Sequence, residues 1–327
     1  MELKPVDACD VLVLVDNVSD ILSTVPDNVT AEIPNVLRAG AQELSGRCLC
    51  CAQWGLSLIV SARSGDTQRT MLFDSGPEDY GVDRNSNRLG VDLAVIDAAV
   101  FSHGHWDHVG GMIAALRLIS DAKSGGTTPI YANRGMFVDR AMQRADGSLL
   151  PFAKVPSTEE LEAAGGQVSL NDNPQLLLDD LFYLSGEIPR VTSYEKGLLG
   201  QVRLAADGSW QPDELILDER FVAVHVKDRG IVVFTACSHA GVVNVLHHAR
   251  EVFDPVPLYG VMGGFHLSGP YCESIIPQTV EDLRQFDLQI FVPGHCTGWR
   301  ATHKLVEAFG ESRVVPSAVG RRHMFTA

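Results

Sequence analysis

Four ligand-type side chains fall within six residues of one another: His103, His105, Asp107 and His108, in the stretch FSHGHWDHVGG (101–111). Histidine and carboxylate are the donors that a divalent zinc or iron site uses. Alternate residues on an extended segment point the same way, so His103 and His105 can hold one ion. Asp107 and His108 lie past a turn and can face a second ion. Gly110 and Gly111 let backbone approach closely behind them. Two adjacent divalent ions would acidify a bound water and polarise a carbonyl or phosphoryl oxygen. The alternative, a histidine-rich surface loop, fits badly with so tight a run after an apolar strand.

The elements that must position these residues can be read from the apolar runs. Strands are predicted at 10–17, 56–63, 70–74 and 98–102, and again at 220–226, 230–236, 257–264 and 288–294. Most are apolar almost throughout, as strands covered on both faces must be. Helical spacing recurs at 109–120, 240–253, 278–286 and 299–309. Strands interleaved with helices in both halves imply sheets with helices packed outside. Between the halves, residues 133–200 read as a loop-rich connection. One short helix is expected there, capped by Ser157 with Glu160 at its third position.

Composition narrows the function classes. The chain has 327 residues, with 41 Asp plus Glu against 26 Lys plus Arg, a net charge of −15. That field disfavours nucleic acid as a partner. No apolar stretch reaches membrane-spanning length, and the N-terminus lacks the pattern of a signal peptide. Seven cysteines, an odd number at low density, suggest reduced thiols and a cytoplasmic location. The cluster CLCC at 48–51 resembles half a zinc site, but no second pair lies nearby. The expected partner is a small molecule, with no nucleic acid and no membrane; the residues specify no oligomeric state.

The His-x-His-x-Asp-His run resembles the signature of the metallo-β-lactamase-fold hydrolases. LFDSG (72–76) is similar to the family's preceding strand end, and VPGHCTG (292–298) to its late Pro-Gly-His strand end. A narrower likeness lies in LVDN (14–17), LSGEIPR (184–190), TACSHAG (235–241), GGFHLSG (263–269) and PGHCTG (293–298). These look like the branch typified by 7,8-dihydropterin-6-yl-methyl-4-(β-D-ribofuranosyl)aminobenzene 5′-phosphate synthase. The resemblance implies an α/β fold, a four-layer αββα sandwich of the metallo-β-lactamase type, with residues 1–327 forming a single domain.

Carried over residue by residue, the likeness implies His103 and His105 at one metal, and Asp107, His108 and His295 at the other. The family's usual Gly-Asp strand end is replaced here by Ala236–Cys237–Ser238–His239. His239 is therefore expected as a ligand, and Cys237 as a buried thiol outside the metal shell. Where a Pro-Gly-His loop might stand, the chain reads Ser185–Gly186–Glu187. Glu187 is expected as a ligand or a supporting base, and Asp74 as a carboxylate that fixes a ligand histidine. Asp107 is expected to orient the nucleophile and His266 to bind metal, touch substrate or donate a proton. Arg190, or Lys196, would meet an anionic group, with Glu187 and Arg190 at a substrate entrance formed by 133–200. The cofactors expected are two divalent ions, zinc first, with iron or manganese as alternatives. The implied activity is metal-dependent hydrolysis of a small ester, phosphoester, lactone or lactam by a metal-bound hydroxide. A thioesterase or glyoxalase-type hydrolase, a di-iron oxidoreductase and a non-catalytic metal-containing binding protein stand as alternatives.

Overall fold

The computed structural model describes residues 2–327. Two large sheets stack face to face. The first has eight strands, in the order Gly166–Leu170, Thr128–Ala132, Ala98–Val100, Thr67–Phe73, Ser57–Ser64, Ala8–Val15, Arg322–Thr326 and Val29–Thr30. The second runs Gln175–Leu177, Phe182–Leu184, Phe221–Val226, Gly230–Thr235, Leu258–Gly264 and Ile290–Gly294, with Pro5–Val6 also pairing to Phe221–Val226.

Side-chain alternation explains why these strands are apolar throughout. Val11 and Val13 point into the space between the sheets, while Leu12 and Leu14 point outward under helices. Likewise Val222, Val224, Val232 and Phe234 fill the inter-sheet core, whereas Phe221, Ala223, Ile231 and Val233 face the opposite layer. The outer face of the first sheet is covered by helices Glu32–Arg38, Asp79–Arg88 and Met112–Ala122. That of the second is covered by Val242–Phe253, Pro270–Leu283 and Trp299–Phe309. A strand with both faces buried needs apolar residues at every position. The result is a four-layer αββα sandwich.

The eight predicted strands are all present within a few residues of their expected bounds. The helix expected at 278–286 starts earlier, at Pro270. Proline is tolerated at a first helical position, because its missing N–H has no intrahelical partner there. Pro277 then lies inside the helix rather than before it. The segment 133–200 holds more structure than its sequence suggests. It supplies the edge strand Gly166–Leu170 to the first sheet and Gln175–Leu177 with Phe182–Leu184 to the second. Arg140–Gln143 and Leu149–Pro151 join Gln201–Leu204 and Trp210–Pro212 in a third, four-stranded sheet. The helix Thr158–Ala163 carries the expected capping box of Ser157 and Glu160. Among the described residues, no helix is long and apolar enough to cross a membrane.

Candidate metal centre

The strand Ala98–Val100 ends at the first sheet's rim, and the chain turns into the short helix Trp106–Val109. That turn is packed tightly from behind. A Cβ on Gly110 would lie 1.9 Å from the Pro77 carbonyl oxygen, and one on Gly111 2.4 Å from that of Ser75, so only glycine fits at either position. His103, His105, Asp107 and His108 are all buried.

Their ring nitrogens are sorted by hydrogen bonds. His103 Nδ1 meets Ser102 Oγ at 2.8 Å, leaving Nε2 directed at His105 Nδ1, 3.0 Å away. His105 Nε2 meets Gln201 Oε1 at 2.7 Å. His108 Nδ1 lies 2.8 Å from Asp74 Oδ2, and its Nε2 lies 3.2 Å from Cys237 Sγ. Asp74 Oδ2 also accepts from Ser102 Oγ, and Asp74 Oδ1 accepts from the Ser102 N–H. In each ring one nitrogen is held by a neighbour while the other turns inward. A partner on the outer nitrogen fixes the tautomer and the ring orientation of a metal-binding histidine.

From the second sheet come the remaining donors. His239 follows the strand Gly230–Thr235, and His295 follows Ile290–Gly294. Three left-handed residues shape these strand ends: Ser238 at φ 58°, His266 at 45° and His295 at 46°. Left-handed backbone costs a non-glycine residue roughly 1–2 kcal/mol, and such residues cluster where a side chain must be aimed. Both ring nitrogens of His239 and both of His295 are buried without a hydrogen-bond partner, as is His266 Nδ1.

Donor atoms gather in overlapping sets, each within 4.8 Å: His103, His105 and His239; Asp107, His108 and His295; His103, His108 and Cys237; Cys237, His239 and His266; and Cys237, His295 and Cys296. The six ligands expected from sequence thus converge. Cys237, expected to stand apart, lies between the first two sets, and its sulfur is 3.4 Å from that of Cys296. Glu187 is exposed and belongs to none of these sets. Arg190 turns inward instead of lining an entrance, donating to the carbonyls of His239 and Leu215.

Three ligand segments are gripped by one device, in which a carboxylate accepts the backbone N–H and a nitrogen donor holds the carbonyl of the same residue. For Gly104 these are Asp218 at 2.8 Å and Arg140 at 3.0 Å. For His239 they are Glu219 at 2.7 Å and Arg190 at 3.1 Å. For His295 they are Asp16 at 3.0 Å and the Asn17 amide at 2.9 Å. Of these, LVDN (14–17) stood out in the sequence. Gln201, Arg140, Asp218 and Glu219 carry no local signal, because long chain separations divide them from the residues they hold.

Electrostatics keep the site ready for cations. Burial, then the neighbouring histidines, hold His103 and His239 well below the usual imidazole range. Burial and Arg140 push His105 down to about 3. Neutral rings are the form that binds metal. Burial would raise the Asp107 carboxyl, but His108 and His295 outweigh it and hold it below the usual range. Burial would likewise lower His295, yet Cys296 and the Asp107 and Asp16 carboxylates push it up to about 9. Positive charge is therefore favoured beside Asp107, whether a proton or a cation supplies it.

Residues 57–169 match the family model of the metallo-beta-lactamase superfamily. That stretch carries a metallo-beta-lactamase superfamily domain. The chain is 27% identical over 263 residues to the 7,8-dihydropterin-6-methyl-4-(beta-D-ribofuranosyl)-aminobenzene-5′-phosphate synthase of Methanocaldococcus jannaschii, covering 80% of this chain and 86% of that protein. An uncharacterized protein of the same organism is 28% identical over 254 residues, 78% of this chain and 88% of its own. Among solved structures, a metal-dependent hydrolase of the beta-lactamase superfamily superposes with a TM-score of 0.70 at 21% identity, covering 98% of this chain and all of that one. A metallo-beta-lactamase fold protein from Bacillus subtilis gives 0.51 at 13% identity, covering 97% and 99%. At these identities the superpositions speak for the fold.

Proposed function

We propose that this chain is a metal-dependent hydrolase with a dinuclear centre, acting on a small ester, phosphoester, lactone or lactam. The observation that carries the reading is the pair His239 and His295, whose four ring nitrogens are buried, without a hydrogen bond and surrounded by donors of matching type. Buried polar atoms without partners cost free energy, and an ion would offset that cost. His103, His105 and His239 would hold one ion, and Asp107, His108 and His295 the other. Cys237, between the two sets, would add a sulfur donor. Nitrogen, oxygen and sulfur together suit zinc.

When bound, such ions polarise a substrate oxygen and lower the pKa of water. The chain's own residues do the rest. Ser102, Gln201 and Asp74 hold the rings of His103, His105 and His108 in the tautomers that leave one nitrogen inward. Asp107 would orient the attacking water through its carboxylate. His266 lies against His239 with ring centroids 4.3 Å apart, and its free Nδ1 would pass a proton to the leaving group. All seven cysteines are unpaired, which supports a reducing, cytoplasmic setting.

The Methanocaldococcus relative favours a second reading, in which the same centre serves the synthesis of a dihydropterin–aminobenzene phosphate compound. One experiment separates the two. Purified protein is analysed for metal and offered phosphodiesters, lactones, lactams and thioesters, with and without chelator. Hydrolysis of one class, abolished by chelation while circular dichroism is retained, supports the hydrolase. Bound metal without turnover on the whole panel contradicts it.

A further inference from the structure

The geometry points to an aromatic-binding site in the cavity beside His295, where Trp54 and Trp299 would hold a planar, uncharged aromatic or heteroaromatic ring of the substrate. The placement of the reacting bond at the metal centre rests on the hydrolase reading; the ring-binding site itself does not.

The cavity measures about 630 Å³ and is lined by Trp54, His295, Gly298, Trp299, Thr302 and Pro316, among others. That volume is in the range of small-molecule sites, which run from about 300 to 1,000 Å³. One of the metal-site donors, His295, forms part of its wall. The Trp54 ring lies 5.2 Å from the His295 ring, centroid to centroid, tilted by 55°. Trp299 begins the helix that follows the His295 turn. A different cavity of about 510 Å³, lined by Arg134, Phe137 and Lys154, includes none of the metal-site donors.

Both tryptophans are more exposed than their chemistry favours: Trp54 is 49% and Trp299 71% accessible. Two large indoles left open around one apolar cavity, against a ligand histidine, are a stacking platform in want of a ring. Charge decides what kind of ring. Among the described residues lining the cavity there is no lysine or arginine, and the ionisable ones are Glu273, His295 and His303. Glu273 is paired with Arg300 at 3.1 Å, and His303 with Glu307 at 2.9 Å. Arg300 sits over one face of Trp299, 4.6 Å from the ring centroid, leaving the other face for a ligand. No unpaired cation waits for a phosphate here, so the occupant is an uncharged ring.

Quenching of tryptophan fluorescence in the metal-loaded protein tests this with quinazolin-4-one as the probe. Cyclohexanecarboxamide is the non-aromatic control and inorganic phosphate the charged one. The aromatic probe should bind saturably and the two controls at least tenfold more weakly. Trp54→Ala and Trp299→Ala should each weaken the aromatic probe about three- to tenfold, the worth of one aromatic contact. Trp210→Ala, whose indole lies on the small sheet away from the cavity, should bind like wild type. Metal content is measured in every variant, because Trp54 packs on His295. Equal binding of the probe and the cyclohexane amide, or unchanged binding in both cavity variants with metal retained, overturns the proposal. The readout needs no turnover. Tryptophan-dependent binding without hydrolysis would sink the hydrolase reading alone; hydrolysis indifferent to both tryptophans and to aromatic groups would sink this one alone.

Discussion

The two halves of the centre are built in opposite ways. In the first half, His103, His105 and His108 have their outer nitrogens fixed by Ser102, Gln201 and Asp74. In the second half, no ring nitrogen of His239 or His295 makes a hydrogen bond, although His295 Nε2 stands 3.5 Å from the Asp107 carboxylate; it is their backbone that is fixed, by Glu219 with Arg190 and by Asp16 with Asn17. The first half orients rings through side chains; the second aims them through the chain. The difference teaches where an ion matters most. Rings held by partners can keep their place when empty, whereas rings held only at the backbone rely on what they bind.

The largest effect should come from breaking the second half directly. His239→Ala and His295→Ala should each lose one ion and all turnover above background, read by metal analysis and by rate on any substrate found. The same variants should keep the circular dichroism of the wild type, because the inter-sheet core is independent of the centre. Next comes the first half's support. Asp74→Asn should weaken metal affinity about 10- to 100-fold, the usual cost of losing a carboxylate behind a ligand histidine, as measured by competition with a chelator. Gln201→Leu should act in the same direction through His105.

A smaller effect is expected at the backbone clamp. Asp16→Ala leaves the buried His295 N–H without its acceptor, which costs about 1–3 kcal/mol, measurable by denaturant unfolding of the apo protein. The smallest concerns the helix after His239. Glu195 accepts from the backbone N–H groups of Val243 and Asn244 at the start of the helix Val242–Phe253. Burial raises its carboxyl from 4.5 to about 7. A raised folded value stabilises below the unfolded one, and that stability is lost as pH rises through about 7. Unfolding titrations should therefore show a downward slope of up to about 1.4 kcal/mol per pH unit in that window. Glu195→Gln should reduce the slope and leave the part due to Glu219, which burial also raises to about 7.

The same contrast explains what the sequence revealed. The His103–His108 run was legible because its spacing is local, and Asp74 because it ends the strand before that run. The core strands were legible because both faces are covered, so apolar residues are continuous, as in Ala8–Val15 with Leu12 and Leu14 outward and Val11 and Val13 inward. Cys237 is buried, as expected, but its sulfur lies among the histidine donors, a placement that local pattern does not reveal, since a thiol at a strand end has the same pattern whether it packs or faces donors. Gln201 and the small sheet escaped notice for a physical reason. Their strands are short, and Leu149–Pro151 and Trp210–Pro212 lie largely at the surface, so no apolar period marks them. Glu187 and Arg190 stand close together in the chain but part in the fold, Arg190 clamping the His239 carbonyl and Glu187 facing solvent.

The central claim, two ions shared between unlike halves, is tested most directly by metal stoichiometry. Protein purified with native metal retained, and protein reloaded to saturation with zinc, are analysed per chain beside His239→Ala and His295→Ala. The account predicts two ions in the wild type and one in each variant. A wild-type chain that holds at most one ion at saturation, or variants that still hold two, would contradict it.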